Sequence, residues 1–434
     1  MKIRTSLKIA LIISVTALAA VVYFRPAFPA ADARMQGCVL TYWTLFCAAA
    51  LIPGGLRKRW REYLLCALVL AAALLAAEAS IRRFFPYRAM MRCRHQPSAS
   101  YHHILPPGRE MLSGFVDEEP VIVHTNRDGL RTDYTPQRFL THKNRIVVLG
   151  DSFTIGPMVP QEAAFPQVAE RLLRRHPQYG DTAVLNAGMA SYSPFLERLL
   201  FAGALQKYRP TLVLLVLDAT DIGDDIGYER LAVRAGGSVS FEPPGMAVTG
   251  YYGALYELCR PWADAVAENI LYPRTLLAGN GRQDYDYYAF RVTVGGCTET
   301  NRFFIYRHPL SSTAPYFENT LGHISAIADR AHAAGARFVL VVAPRYHHWN
   351  PRECPDNWER HQYAADEPFQ YEYFRFFDQI RDSAGFDIFS LLPAFRATDE
   401  FPLVFRHDPH WNTRGHAFVA RAVTGYLIQN GLIE

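Results

Sequence analysis

The apolar residues of the chain follow two rhythms, long runs before residue 83 and short runs separated by amphipathic stretches after residue 144. The long runs are Ile9 to Phe24 (IALIISVTALAAVVYF), about Met35 to Pro53 (containing CVLTYWTLFCAAALIP) and Tyr63 to Ile81 (YLLCALVLAAALLAAEASI). Each approaches the ~20 apolar residues that cross a bilayer, so the pattern predicts transmembrane helices near 9–24, 35–53 and 63–81. Glu78, near the end of the third, suits a membrane interface better than its centre.

The loop Arg57-Lys58-Arg59-Trp60-Arg61 carries four basic residues, which favours the cytoplasmic side. Lys2, Arg4 and Lys8 place the N-terminus on the same side. Three crossings then put everything beyond residue 82 outside. Arg82, Arg83, Arg88, Arg92 and Arg94 argue the other way, against two consistent anchors. If the first run is a signal peptide cleaved near Ala30 to Ala33, two spans remain and the C-terminal part is still exported.

The short runs predict strands at Arg145–Leu149, Ala183–Leu185, Thr211–Leu217, Arg337–Val342 and Asp387–Phe389. Continuous apolar strands of this kind are buried on both faces of a parallel sheet. Between them, Phe165, Val168, Ala169 and Leu172 form one helical face stopped by Pro177, and Leu321, Ile324 and Ala328 form another that ends at Gly335. A last helix runs from about Arg414 to Gln429. The expected architecture is α/β, three layers around a parallel sheet. One excursion, about Gly227 to Tyr316, interrupts it and holds Tyr251, Tyr252, Tyr256, Tyr285, Tyr287, Tyr288 and Trp262. It reads either as a small subdomain or as a substrate-binding lid. The expected division is an anchor over 1–83, a connecting segment over 84–135, in which NRDGLR (Asn126 to Arg131) is a turn, and the α/β domain with its excursion over 136–434.

Composition narrows the class. With 50% hydrophobic and 20% charged residues the chain is no disordered protein. A net charge of +4, from Lys+Arg 45 and Asp+Glu 41, leaves no nucleic-acid footprint. The apolar runs exclude both a soluble cytosolic enzyme and a polytopic transporter. Of the 7 cysteines, Cys38, Cys47 and Cys66 fall in the membrane runs. Cys93, Cys259, Cys297 and Cys354 lie in the exported part, where an even count allows two disulfides in three pairings. No CxxC spacing suggests zinc.

The chemistry gathers at strand ends, where open α/β sheets form their sites. The first strand ends in Gly150-Asp151-Ser152-Phe153-Thr154 and leads into a helix. Ser152 there is either a cap or a nucleophile aimed into the crevice. The second ends in Asn186-Ala187-Gly188, where glycine offers an unobstructed amide, and the third in Asp218-Ala219-Thr220-Asp221. Before the last helix comes His407-Asp408-Pro409-His410-Trp411-Asn412. His410 can take the Ser152 proton and Asp408 can orient the imidazole, the activation a weakly nucleophilic serine needs.

Taken in order, GDSFT, NAG and DPHWN resemble the nucleophile, glycine and Asp/His blocks of the SGNH (GDSL-like) hydrolase superfamily. The stretch NRDGLR…RIVVLGDSFTIG is similar to that of its bacterial membrane-attached members. The resemblance spans about residues 120–225 and 335–430. It implies a flavodoxin-like αβα domain with Ser152 as nucleophile, His410 as base and Asp408 as its partner. It also implies an oxyanion hole from the Ser152 amide, the Gly188 amide and a third-block side chain. There the family carries an asparagine, whereas this chain aligns Thr220, a shorter donor.

The implied function is an exported, membrane-anchored serine enzyme of the bacterial inner membrane, with its catalytic domain in the periplasm. It would use no cofactor or metal and would hydrolyse an O-acyl, commonly acetyl, ester on an envelope carbohydrate, or transfer the group. His410-Trp411 resembles the His-Trp pair of alginate-type O-acetyltransferases, and a transferase would need a separate acyl-supplying membrane partner. Arg345-Tyr346-His347-His348-Trp349 follows the fourth strand and reads as a solvated loop or as a substrate contact through Arg345 and His348, with Trp411 a further contact. His407, His410 and His416 could be taken for a metal site, but the aspartate and serine beside His410 make it a base. Asp221, Asp224 and Asp225 read as solvated turn residues or as supports of the Thr220 segment. A non-catalytic glycan-binding or scaffold protein is the rival class.

Overall fold

The computed structural model describes residues 58–242, except 88, 89 and 92, and residues 290–434. The first two predicted membrane helices, the aromatic residues 251–288 of the excursion and Cys259 lie outside the described residues. The chain divides into two compact units, Met1–Arg92 with Gly250–Gly281, and Cys93–Thr249 with Arg282–Glu434.

In the first unit the third apolar run forms helix α1 (Lys58–Phe84). Its stretch Leu65–Phe84 has a mean hydropathy of 1.9 and the length to cross a membrane. Glu78 accepts from Arg82 Nε at 2.8 Å, one turn on, so its charge is offset within the helix.

The second unit is built on a parallel sheet of β1 (Asn144–Gly150), β2 (Thr182–Asn186), β3 (Leu212–Leu217), β4 (Arg337–Val342) and β5 (Asp387–Ser390), in the spatial order β5-β4-β3-β1-β2. All five coincide with the predicted strands to within a residue or so. Every residue of β3 (LVLLVL) is buried, because helices cover both faces of the sheet and leave no position for a polar side chain. On one face lie α3 (Phe165–Arg175) and α8 (Thr413–Gln429). On the other lie α4 (Pro194–Leu200), α5 (Asp221–Leu231) and α6 (Leu310–Ala333), with α7 (Glu372–Ile380) packed on α6. The strand order reverses between β1 and β3, so their carboxyl ends splay apart and open a crevice there.

Two differences from the expected organisation stand out. Residues 93–135 are part of the compact unit rather than a connector. They form antiparallel hairpins, Gln96–Ser98 with His102–Ile104 and Glu110–Val116 with Glu119–His124. The excursion starts after α5, and its two ends are hairpins as well, Ala232–Ala235 with Ser238–Phe241 and Val292–Val294 with Cys297–Glu299. Cys93, Cys297 and Cys354 are all free thiols, which overturns the expectation of two disulfides. Burial pushes the Cys93 thiol up to about 11, and burial together with the Asp408 and Glu359 charges pushes Cys354 up to about 12.

Candidate active site

The nucleophile block is shaped by contacts that admit no larger residue. Gly150 closes β1 at φ +147°, and a Cβ there would lie 2.1 Å from Thr154 Oγ1. The chain then turns into the single helical turn α2 (Ser152–Ile155), capped by Asp151, whose carboxylate accepts from Phe153 N at 2.8 Å. Behind the turn, the buried Arg131 guanidinium donates to Ile155 O and Val159 O at 2.6 Å each, and to Gly156 O. NRDGLR is thus a turn, as its residues suggest. Asn126 Oδ1 accepts from Asp128 N and Leu130 N, and the turn delivers Arg131 to the carbonyls behind the nucleophile.

His410 arrives from the other side of the crevice. Its loop is held by a bridge between Val404 and Trp411 and by Phe405 N donating to His410 O at 3.2 Å. Asn412 caps α8 by accepting from Gly415 N at 2.9 Å. His410 Nε2 lies 2.7 Å from Ser152 Oγ, and Nδ1 is hydrogen-bonded to Asp408 Oδ1. With Asp408 ionised, the imidazole proton belongs on Nδ1, and Nε2 is left to accept from the serine hydroxyl. Burial pushes the imidazole toward neutrality, but the Asp408 charge and hydrogen bond outweigh it and hold His410 above its ordinary value. Burial likewise raises Asp408, yet His410 and the donors around it bring that carboxyl far below the usual range. Asp151 is pushed up to about 7 by burial and the Asp218 charge, and its Oδ2 lies 3.4 Å from Ser152 Oγ.

The structure therefore brings Ser152, His410 and Asp408 together as expected from sequence. The oxyanion donors fare differently. Gly188 is a site of close approach, since a Cβ there would meet Ile155 N at 2.5 Å, but its amide donates to Asn186 Oδ1 at 3.0 Å. Thr220 is buried, and both its hydroxyl (2.6 Å) and its amide (3.1 Å) are given to Asp218 Oδ2. Thr220 is thus a carboxylate ligand here and not a donor facing the crevice. Among the described residues the Ser152 amide is the expected donor with no protein acceptor.

The expected substrate contacts are corrected more sharply. Arg345 is 3% exposed. It forks onto Asp218, Nε reaching both carboxylate oxygens at 3.1 Å and Nη2 reaching Oδ2 at 2.8 Å, while Nη1 donates to Glu359 Oε2 at 2.5 Å. Arg302 extends the network, donating to Glu359 Oε1 at 3.1 Å and Asp224 Oδ2 at 3.3 Å. His348 is buried beneath, its Nδ1 accepting from Arg345 N at 3.0 Å, and burial pushes it down to about 3. Trp411 is wholly buried against Phe153, Phe165, Phe395 and His416. All three residues are interior parts of the scaffold, because carboxylates and aromatics from distant segments enclose them.

Asp221, Asp224 and Asp225 are buried too, rather than solvated. They sit in the first turns of α5, where Asp221 Oδ2 accepts from Asp218 N (2.9 Å) and Asp225 Oδ1 from Phe195 N (2.8 Å). The three histidines do not converge: His416 Nδ1 accepts from Phe165 N at 3.2 Å, and His407 sits on the surface beside Asp356. Residues that sequence reasoning missed are Arg131, Trp358 and Glu359. Trp358 Nε1 donates to Asp408 Oδ2 at 3.1 Å, and no motif around either tryptophan or glutamate marks them.

No protein-family model and no curated protein matches the chain. Solved structures do. A catalytic mutant of an acetylxylan esterase from Geobacillus stearothermophilus is 12% identical, covering 67% of this chain and 95% of that chain at a TM-score of 0.35. A GDSL-like lipase from Bacteroides thetaiotaomicron is 11% identical, covering 66% of this chain and 88% of that chain at a TM-score of 0.32.

Proposed function

We propose that the chain is an SGNH-type serine esterase that hydrolyses, or transfers, an O-acyl group through an acyl-Ser152 intermediate. The observation that carries this reading is the 2.7 Å approach of His410 Nε2 to Ser152 Oγ, with Asp408 on the opposite ring nitrogen. Ser152 Oγ attacks the ester carbonyl carbon as its proton passes to His410 Nε2. The negative charge then develops on the carbonyl oxygen beside the Ser152 amide. His410 returns the proton to the departing alkoxide, leaving the acyl-serine. A water or a glycan hydroxyl, deprotonated by the same imidazole, attacks the acyl carbon, and the imidazolium returns the proton to Ser152 Oγ as the acyl group leaves.

The setting supports an envelope substrate. The apolar runs and basic loops favour a bacterial inner-membrane anchor with the domain in the periplasm, where acylated carbohydrate, commonly acetylated, is the accessible ester. Transfer would require a separate membrane protein to supply the acyl group.

The test is release of p-nitrophenol from its acetyl ester by the full-length protein in detergent, beside Ser152→Ala. Serine-dependent release supports the esterase, and equal inertness of the two sinks it. The engaged Gly188 and Thr220 donors favour one second reading, a glycan-binding protein with an idle triad. Labelling of Ser152 by a fluorophosphonate would discount that reading.

A further inference from the structure

The serine–histidine pair depends on one carboxylate, and Asp408 is poorly secured by its own loop. It lies at the tip of the 403–412 loop, with its side chain 27% exposed. The donors to its Oδ1 are His410 itself, through N (2.9 Å) and Nδ1. Neither fixes the second oxygen, and a carboxylate held on one side swings about its side-chain torsions into solvent.

The turn Trp358–His361 supplies the missing hold. Trp358 N donates to His407 O at 3.2 Å and its indole Nε1 to Asp408 Oδ2 at 3.1 Å, so one residue grips two consecutive positions of the tip. Asp356 N, two residues earlier, donates to Arg406 O at 3.2 Å and continues the pairing. The turn itself is immobilised from below. Asn357 caps it by accepting from Glu359 N at 2.9 Å and donates to the Tyr346 and Tyr363 hydroxyls at 3.0 and 3.1 Å. Glu359, 2% exposed, is gripped by Arg345 and Arg302. Trp358 is thus a donor on a well-anchored turn, aimed at the Asp408 oxygen that the 403–412 loop leaves unheld.

We propose that Trp358 is a positioning residue for the reaction, its indole N–H locking the Asp408 rotamer and through it the orientation of the His410 ring. The proposal rests on the esterase reading above. Released from the indole, the carboxylate turns away from the ring, and His410 loses part of the charge and hydrogen bond that hold it above its ordinary value. His410 faces Asp151 and Glu359 as well as Asp408, and those two charges stay in place in the variants below.

The experiment compares the full-length wild type in detergent with Trp358→Phe and with a variant carrying 3-benzothienylalanine at 358, which replaces the indole N–H by sulfur and keeps the ring's shape. The expected result is a fall of about 10- to 100-fold in kcat/KM for p-nitrophenyl acetate, the scale of one hydrogen bond to a charged group. KM should change little, and the acid limb of the pH profile should move to lower pH. The low-field proton resonance of His410 Nδ1–H should shift or broaden in both variants. If Trp358→Phe does not fold, the sulfur isostere alone decides. An isostere with unchanged kcat/KM, pH limb and low-field resonance overturns the proposal and leaves Trp358 a packing residue. If the wild type neither turns over nor takes a fluorophosphonate, the esterase reading has failed. The low-field resonance still reports whether Trp358 holds Asp408.

Discussion

Replacing Arg345 with methionine separates a scaffold guanidinium from a substrate-binding one. Methionine keeps much of the stem and removes the fork that joins Asp218 to Glu359. Glu359 retains Arg302 at 3.1 Å, so its charge stays compensated. Asp218 retains only the Thr220 amide and hydroxyl among its donors and becomes a buried carboxylate without a counter-charge. Breaking a buried pair from one side costs about 3–5 kcal/mol, and with Glu359 still paired the lower end applies. For a unit of about 310 residues, about 3 kcal/mol corresponds to a melting shift of about 5 °C.

The sign of the pH dependence follows from Asp218. Burial raises that carboxyl, but the Arg345 charge and hydrogen bonds bring it down to about 2. Its contribution to stability is therefore present above the unfolded value of 3.8 and lost as pH falls toward 2. Without Arg345, burial prevails and Asp218 rises in the folded state, so the deficit of the variant is largest near pH 8 and smaller at pH 5. Thermal unfolding followed by near-ultraviolet circular dichroism at the two pH values measures this. An Arg345→Met protein as stable as wild type, with KM raised and kcat kept, would refute the network and restore Arg345 as a substrate contact.

Asp408→Asn should lower kcat about 10⁴-fold in the ester assay by spoiling the tautomer. Because Asp408 is what outweighs burial and holds His410 above its ordinary value, the wild-type kcat/KM should rise with pH through a midpoint above 6.5, as the base must be neutral. In Asp408→Asn that midpoint should fall. Thr220→Val should cost less than tenfold in kcat, since its hydroxyl serves Asp218. A loss of ~10²–10³ would mean that Thr220 turns to donate to the oxyanion after all. Gly188→Ala forces a Cβ to within 2.5 Å of Ile155 N and 2.7 Å of Thr154 Cγ2. It should destabilise the protein by about 1–3 kcal/mol and depress kcat, measured by melting and turnover together, because the displaced atoms belong to the nucleophile turn.

The sheet was legible because its signal is one-dimensional. IVVL, LVLLVL and FVLVV are apolar at every position, and only a strand covered on both faces tolerates that. The triad was legible for a related reason. A serine at the end of the first strand and an Asp-x-His before the last helix occupy places the topology must bring together. The length of the connection between them, 258 positions, is irrelevant once both ends lie at the reversal point of the sheet. The hairpin of Gln96–Ser98 with His102–Ile104 was not legible, since three-residue strands are too short to carry a period.

Charged residues were the systematic failure, and the reason is physical. A lone arginine or aspartate is assigned to solvent because burying it unpaired is prohibitive. That inference needs the partner, and here the partner lies far along the chain: Asp218 is 127 residues from Arg345, and Asp224 is 78 from Arg302. Once paired, these residues stop being surface and become the floor of the site. Asp218 joins the strand that ends beside Ser152 to Arg345, Arg345 joins it to Glu359, and the residue next to Glu359 holds Asp408. The same pairing removes Thr220 from the role its alignment suggests, because a hydroxyl 2.6 Å from a buried carboxylate has its proton committed there. Thr220 and the Arg345–Asp218 fork thus belong to one arrangement, in which the threonine serves the buried carboxylate and faces the interior.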